Sequence, residues 1–464
     1  MRIKKITLLL SILLLFMIIG NHIFFREFHK KNETKEEKNT TEIDKQEKYP
    51  LEDENFIDTS DTIKVALHTT NFKSLYHKKI TLYCETPYVV EINGKKQIKK
   101  AKQITKIGSV KKKILIYPKD KTGRIYLTSI KRSNNTPAYR GKFIIYPKKE
   151  GLILVNELSM EQYLYGVLPS EMPVFYGEEA LKLQAVCARS YAMKQKETKR
   201  YEEFYADVVD SVASQVYQNT KEDGRANQAV RDTKGKILTY KGEIASTYFF
   251  STSCGYTTNS TDVWYNESTG KSPIYLQGNF QGKEKIVLDL KKEKDFRAFI
   301  KKGKYYDTFE KEMSWYRWNV ETDLMTISKQ LSVSYEKEMK KIGKLTKIEM
   351  IERGVGGIAK RCKIIGKKGS FIVEKEYAIR SIFAGENVIA KGQNKAEMKV
   401  LNLLPSGYFY ITQKKDKVML YGGGFGHGVG MSQTGAKVMA EMGYTWEEMA
   451  RHYFKNTEIK TCYE

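Results

Sequence analysis

Glu171 is the residue of this chain whose setting points most directly to chemistry. It stands in G-V-L-P-S-E-M-P, residues 166–173, between Pro169 and Pro173, beside Ser170 and among apolar neighbours. Such neighbours raise a glutamate's pKa towards neutrality, which suits a proton donor to a leaving oxygen. Ordinary glycoside hydrolysis pairs two carboxylates, and no second one is obviously paired with Glu171 along the chain. One acid/base is enough when the substrate carries its own nucleophile, as a muramic residue does in its 6-hydroxyl, which can attack its own anomeric carbon. The competing reading is a structural glutamate that caps a helix near residue 174.

Other chemistries fit less well. GGGFGHGVG has a G-x-G-x-x-G-like spacing, but no βαβ context of the dinucleotide type follows it. His427 is the only histidine of that stretch, the nearest other is His452, and neither Cys nor His occurs between Arg189 and Phe250, so no metal-ligand cluster is visible. His427 with Ser251 or Ser432 could form a nucleophilic pair, but no G-x-S-x-G elbow exists. Cys84, Cys187, Cys254, Cys362 and Cys462 show no C-x-x-C spacing, and no essential disulfide is expected.

The elements that must position Glu171 are legible around it. LILVN (152–156) reads as a strand, and SMEQYLYGVL (159–168) opens with Ser159 three residues before Gln162, a capping-box pattern. EEALKLQAVCARSYAMKQKE (178–197) reads as a helix, with Leu181, Ala185, Ala188 and Ala192 as a small-residue stripe. Gln184, Arg189 and Tyr191 are its polar-capable members. For Arg189 an ordinary structural ion pair and a place at a site are both open. DVVDSVASQVYQN (207–219) carries Asp210, Ser211, Gln215 and Tyr217 in a loop or short strand, and a helix follows over 224–234. GKILTY and IASTYFFSTSCGY read as strands, and residues 270–395 as further α/β material. The glycine-dense GHG stretch then precedes a closing helix.

The chain has 464 residues, enough for more than one core, and a formal net charge of +25. Short apolar runs from Ile63 to Pro147, separated by Asn-Gly, Lys-Asp and Asn-Asn turns, predict a small β-rich region. The lysine run 95–113 lies within it and reads as solvated strand edges. At the N-terminus a basic head (1–5) precedes an apolar run (6–25) long enough to span a bilayer, and a charged tether (26–61) follows. These features predict a single-pass signal anchor in the cell membrane, with the bulk of the chain facing the cell wall. Nucleic acid is then not an expected partner, and the basic charge suits an anionic wall.

LYGVLPSEMPVFYGEEALKLQAVCARSYAM, DSVASQVYQN, FFSTSCGYTTNSTDVW and GGGFGHGVGMSQTGAKVMAEMGYTWEEMARHYF together resemble the stage II sporulation protein D family, whose domain is shared with amidase-enhancer proteins. The resemblance covers most of residues 63–464 and is loosest over parts of 275–395. It implies a membrane-anchored lytic transglycosylase that cuts peptidoglycan glycan strands stripped of stem peptides and leaves 1,6-anhydro muramic ends. The family's catalytic glutamate corresponds to Glu171. Its other polar positions fall on Gln184, Arg189, Ser211, Gln215, Tyr217, Ser251, His427 and Gln433, expected to line the cleft or hold its loops. Some relatives hold zinc through Cys and His near the cleft, whereas 207–217 has neither and Cys254 stands alone. No metal or cofactor is therefore carried over.

The resulting expectation is an α+β, bilobed extracytoplasmic chain: a β-rich region (62–147), a central catalytic region (148–275), and an α/β region (276–464) whose GHG motif completes the cleft. Its partners would be glycan strands, the membrane through the anchor, and other wall hydrolases or division or engulfment proteins. A non-catalytic amidase enhancer and a wall-binding protein are the alternatives.

Overall fold

The computed structural model describes residues 49–53, 56–264, 270–283, 286–303 and 306–463. Helices and several antiparallel sheets are mixed along the chain, an α+β arrangement. The described residues form two compact units, one of those up to Ser246 together with those from Glu458 onward, the other within Thr247–Thr457.

The first unit is built on strands β1 (Thr62–Ala66), β2 (Tyr76–His77), β3 (Ile80–Cys84), β4 (Tyr88–Ile92), β5 (Lys95–Lys99) and β6 (Thr105–Ile107). These are followed by β7 (Ile114–Pro118), β8 (Ile125–Leu127), β9 (Ala138–Tyr139), β10 (Lys142–Lys148), β11 (Gly151–Ser159) and β12 (Val208–Val209). One sheet runs β12-β1-β11-β10-β7-β4-β5 with β2 also on β11, and a second runs β6-β3-β8-β9. The long strands β10 and β11 form a hairpin in which Ile145 faces Leu154 and Phe143 faces Asn156. Alternation along β3 is strict: Ile80, Leu82 and Cys84 are buried and the residues between them half-buried, the period of a strand with one face on a core.

Three helices pack pairwise on one another beside these strands: α1 (Met160–Glu171), α2 (Glu178–Thr198) and α3 (Gly224–Asp232). Ser159 caps α1, its hydroxyl accepting from the Gln162 N–H at 3.3 Å. Pro169 sits inside the last turn, and Pro173 drives Met172 into an extended conformation (φ −130°, ψ 134°), which ends the helix. Glu171 is thereby the final helical residue. A strand over Lys236–Tyr240 packs on α2 and pairs with Glu243–Ile244 and with Glu458–Thr461, which returns the C-terminal segment to this unit.

Residues 49–53, which the sequence reading places in the charged tether, are tied to this unit. Arg140 holds Glu52 at 2.7 Å, Asn227 donates to the Leu51 carbonyl at 3.0 Å, and Arg231 donates to the Pro50 carbonyl at 3.0 Å.

The second unit contains a five-stranded sheet centred on Trp318–Asp323, a three-stranded sheet of Leu345–Arg353, Ala359–Gly366 and Gly369–Glu374, and the closing helices Gln433–Glu441 and Trp446–Tyr453. Within this material the strand Gly369–Glu374 ends at Lys375 (φ 75°), and Glu376–Ser381 is helical.

One part of the expected fold class and the expected localisation need correction. Among the described residues no helix is long and apolar enough to cross a membrane, so the single transmembrane helix and the membrane placement are not upheld. The longest of these helices, α2, carries Glu178, Glu179, Lys182, Arg189, Lys194, Lys196 and Glu197, charges that hydrocarbon would not solvate. The apolar run 6–25 lies outside the described residues.

Candidate active site

Glu171 ends α1 with its side chain turned inward, and the residue is 8% exposed. The Val216 N–H donates to its Oε1 at 2.5 Å. Burial pushes the Glu171 carboxyl up to about 7, against that hydrogen bond, which favours the carboxylate. A carboxyl poised there is half protonated near neutral pH and can both give and take a proton.

The loop that carries Val216 is held at several points. Asp210, fully buried, accepts from Arg132 Nη2 at 2.6 Å and lies 2.6 Å from His68 Nδ1. Burial opposes its charge, yet Arg132 and His68 outweigh burial and keep the carboxyl below the usual carboxylate range. Tyr217 donates to Asn156 Oδ1 at 2.8 Å, and its ring centroid lies 5.0 Å from that of Tyr163. The Gln218 N–H donates to Ser170 Oγ at 3.2 Å, while the Ser170 hydroxyl donates to the Gly166 carbonyl at 2.7 Å. Gly166 lets the loop lie directly on α1, since a Cβ there would come 2.6 Å from both Asn219 Oδ1 and Tyr217 Cε2.

Of the polar positions expected from the sequence, Gln215 and Tyr217 therefore gather beside the helix that ends in Glu171, with Tyr163 donating to Gln215 Oε1 at 3.2 Å. Ser211 is buried in the same loop, and Gln184 is buried on α2. Arg189, also buried, forms a two-pronged ion pair with Glu161 at the start of α1, at 2.9 and 2.7 Å. It donates further to the Lys236 carbonyl at 3.0 Å. Tyr463 and the Gly235 N–H complete the shell around Glu161, so this network joins α1, α2 and the C-terminal segment.

Ser251, His427 and Gln433 belong to the second unit. His427 Nδ1 accepts from the Val429 N–H at 3.1 Å, and its ring lies 4.9 Å from Trp264 and 5.6 Å from Phe250. Burial and then the charge of Arg380 lower its pKa to about 3, a backbone hydrogen bond with Phe249 notwithstanding, so the imidazole is neutral at any physiological pH. The Ser251 carbonyl accepts from the Thr434 N–H at 2.9 Å. Gln433 is the buried first residue of the helix Gln433–Glu441.

Sequence reasoning missed Glu310. Fully buried, it accepts from the Ser253 N–H at 2.8 Å, from Ser432 Oγ at 2.6 Å, from Thr434 Oγ1 at 2.6 Å and from the Ser253 hydroxyl. Burial raises its pKa against these hydrogen bonds. Ser432, considered above as a nucleophile beside His427, spends its hydroxyl on this carboxyl. No local spacing announces the cluster, because its members come from three separate stretches of chain. Arg132 and Asn156 were missed for the same reason.

Comparison with known proteins follows this division of the chain. The family described as Stage II sporulation protein matches residues 148–240, the stretch that holds Glu171, Gln184, Arg189, Ser211, Gln215 and Tyr217. A family described as a domain of unknown function matches residues 258–430. The chain is 28% identical to a protein of Bacillus subtilis named Amidase enhancer over 302 residues, 64% of this chain but only 40% of that protein's length. It is 28% identical to the Stage II sporulation protein D of the same organism over 319 residues, 66% of this chain and 75% of the relative. An uncharacterized protein of Brachyspira hyodysenteriae is 27% identical over 341 residues, 73% of this chain and 77% of that one.

Proposed function

Because the chain belongs to the stage II sporulation protein D family, which it shares with amidase enhancers and which carries a cell-wall-related role, we propose that it cleaves peptidoglycan glycan strands as a lytic transglycosylase, with Glu171 as the catalytic residue. The observation that carries this reading is the Glu171 carboxyl itself, buried at the end of α1 and raised to about 7. In the protonated form it gives its proton to the glycosidic oxygen as the bond from C1 of the muramic residue breaks. The resulting carboxylate then takes the proton of the same sugar's 6-hydroxyl, whose oxygen closes on C1. The product is a 1,6-anhydro muramic end, no water is consumed, and Glu171 returns to its starting state. A single carboxyl serves both proton transfers because the nucleophile belongs to the substrate.

The test is to incubate the full chain and its Glu171→Gln form with peptide-free glycan strands and to look for anhydro ends by mass spectrometry. Anhydro products from the parent alone support the reading. Their absence from both overturns it.

The likeness to an amidase enhancer favours a second reading, in which the chain stimulates a wall amidase without cutting glycan itself. In that case Glu171→Gln leaves the stimulation of a purified amidase intact.

A further inference from the structure

We propose that the lysine-rich edge formed by residues 95–113 in the first unit binds a linear phosphodiester-bearing wall polymer. Nine lysines fall in this stretch, at 95, 96, 99, 100, 102, 106 and 111–113, with no Asp or Glu among them. Eight are exposed and Lys99 is half-buried. Among the described residues none of the nine forms a salt bridge, in a chain whose other basic side chains repeatedly do.

The topology gathers these charges. Strand β5 is the outer strand of its sheet, and β6, which carries Lys106, is the outer strand of the other. The crossover between them is held in shape: the Lys102 N–H donates to the Cys84 carbonyl at 2.7 Å, and Tyr88 Oη lies 2.5 Å from the Gln103 carbonyl and 2.6 Å from Thr105 Oγ1. Lys95 stands opposite Ile92 on β4, and Ile92 stands opposite Ile114 on β7. The Lys111–Lys113 run that leads into β7 therefore reaches the same end of this ribbon as Lys95, two strand spacings or about 10 Å away. Exposed Ile98 and Ile104, at 64% and 59%, interleave with the charges and offer apolar contact for a polymer backbone.

Guarding an edge strand against aggregation requires only a few charges on that strand. Here lysines also occupy the crossover and the entrance to β7, which is an interior strand. A fixed row of unpaired ammonium groups complements a flexible polyanion, and its affinity arises largely from released counterions. The choice of a wall polymer over nucleic acid rests on the cell-wall reading above, whereas the binding itself does not involve Glu171.

The test measures binding of the full chain to poly(glycerol phosphate) of defined length across a salt series. A variant with Lys95, Lys96, Lys99 and Lys100 all changed to Gln should lose more than about tenfold in affinity and show a shallower salt dependence. A variant with Lys111, Lys112 and Lys113 changed to Gln gives an independent reading off the edge strand. The comparison variant changes Lys337, Lys341, Lys344 and Lys367, exposed lysines of the second unit, and should bind like the parent. Equal losses in all three sets mean diffuse charge and overturn the proposal. So does binding of a single-stranded oligonucleotide of equal charge as tightly as the polymer. Edge-dependent polymer binding in a chain that yields no anhydro ends supports this proposal while overturning the transglycosylase reading alone.

Discussion

The backbone N–H of Val216 donates to Oε1 of Glu171 at 2.5 Å, joining the last residue of α1 to a loop 45 residues further along the chain. That contact places a backbone dipole on a carboxyl that burial has otherwise pushed towards neutrality. The balance between the two effects sets when Glu171 carries its proton, and the first two predictions follow from it.

Glu171→Gln keeps the side chain's size and an acceptor for the Val216 N–H but cannot exchange a proton. Glycan cleavage should fall by about 10²- to 10⁴-fold with the fold intact. In the parent, the step that needs protonated Glu171 should weaken as pH rises above about 7, declining towards tenfold per pH unit. A pH series of anhydro-product formation checks both statements. A flat profile from pH 6 to 9 contradicts the assignment.

The same shift predicts a stability effect that needs no substrate. The folded state holds the Glu171 proton up to about 7, whereas an unfolded glutamate releases it near 4.5. Between these values the native state binds more protons than the unfolded state, so Glu171 lowers stability as pH rises through that window, and the cost is complete above it. Glu171→Gln should therefore stabilise the protein at pH 8 by up to about 3 kcal/mol and change little at pH 4. Urea unfolding at the two pH values measures the difference.

The Arg189–Glu161 pair is fully buried, and Arg189 has two backbone carbonyls as further partners. Removing one partner strands the other charge without solvent. Arg189→Met should destabilise the protein by about 3–5 kcal/mol, seen as a lower urea midpoint. Restoring the charge with Arg189→Lys should recover only part, because lysine cannot make the two-pronged contact.

Asp210 anchors the loop behind Val216 through Arg132 and His68. Asp210→Asn leaves Arg132 buried beside a neutral group, and should both destabilise the protein by about 2–4 kcal/mol and loosen the Val216 contact. Amide hydrogen exchange at Val216 should rise more than at β11. A uniform rise would point to general weakening instead.

Two glycines separate backbone strain from packing. At Gly428 (φ +78°) a Cβ would come 2.2 Å from Tyr408 Oη, whereas at Gly94 (φ +76°) nothing lies within 4 Å. Gly94→Ala should cost about 1–2 kcal/mol, the penalty of the left-handed conformation. Gly428→Ala should cost clearly more, since the buried Tyr408 ring must also move. Thermal unfolding of the two variants gives the comparison.

Legibility in the sequence followed the range of the interactions. The capping role of Ser159 and the extents of α1 and α2 were readable within a turn or two, because caps, helical periodicity and Pro173 act locally. GKILTY was readable as a strand but its partner was not, since Lys236–Thr239 pairs with Glu458–Thr461 across more than two hundred residues. Glu310 was invisible for the same reason, as its four hydrogen bonds come from residues 253, 432 and 434. The glycine-dense GHG stretch pointed to close backbone approach, and what approaches Gly428 and Gly430 is the chain's own Tyr408 and Tyr248.

By itself, then, the sequence determined that a lone carboxyl, Glu171, sits between two prolines among apolar residues, three positions past the capped run 159–168, because each of those facts is written in neighbouring positions. Only the tertiary structure decided how deeply that carboxyl is buried, that Val216 donates to it, and that Arg132 and His68 hold the donor's loop through Asp210. Burial and long-range hydrogen bonds depend on which distant segments meet. A proton affinity near neutrality is the sum of those meetings.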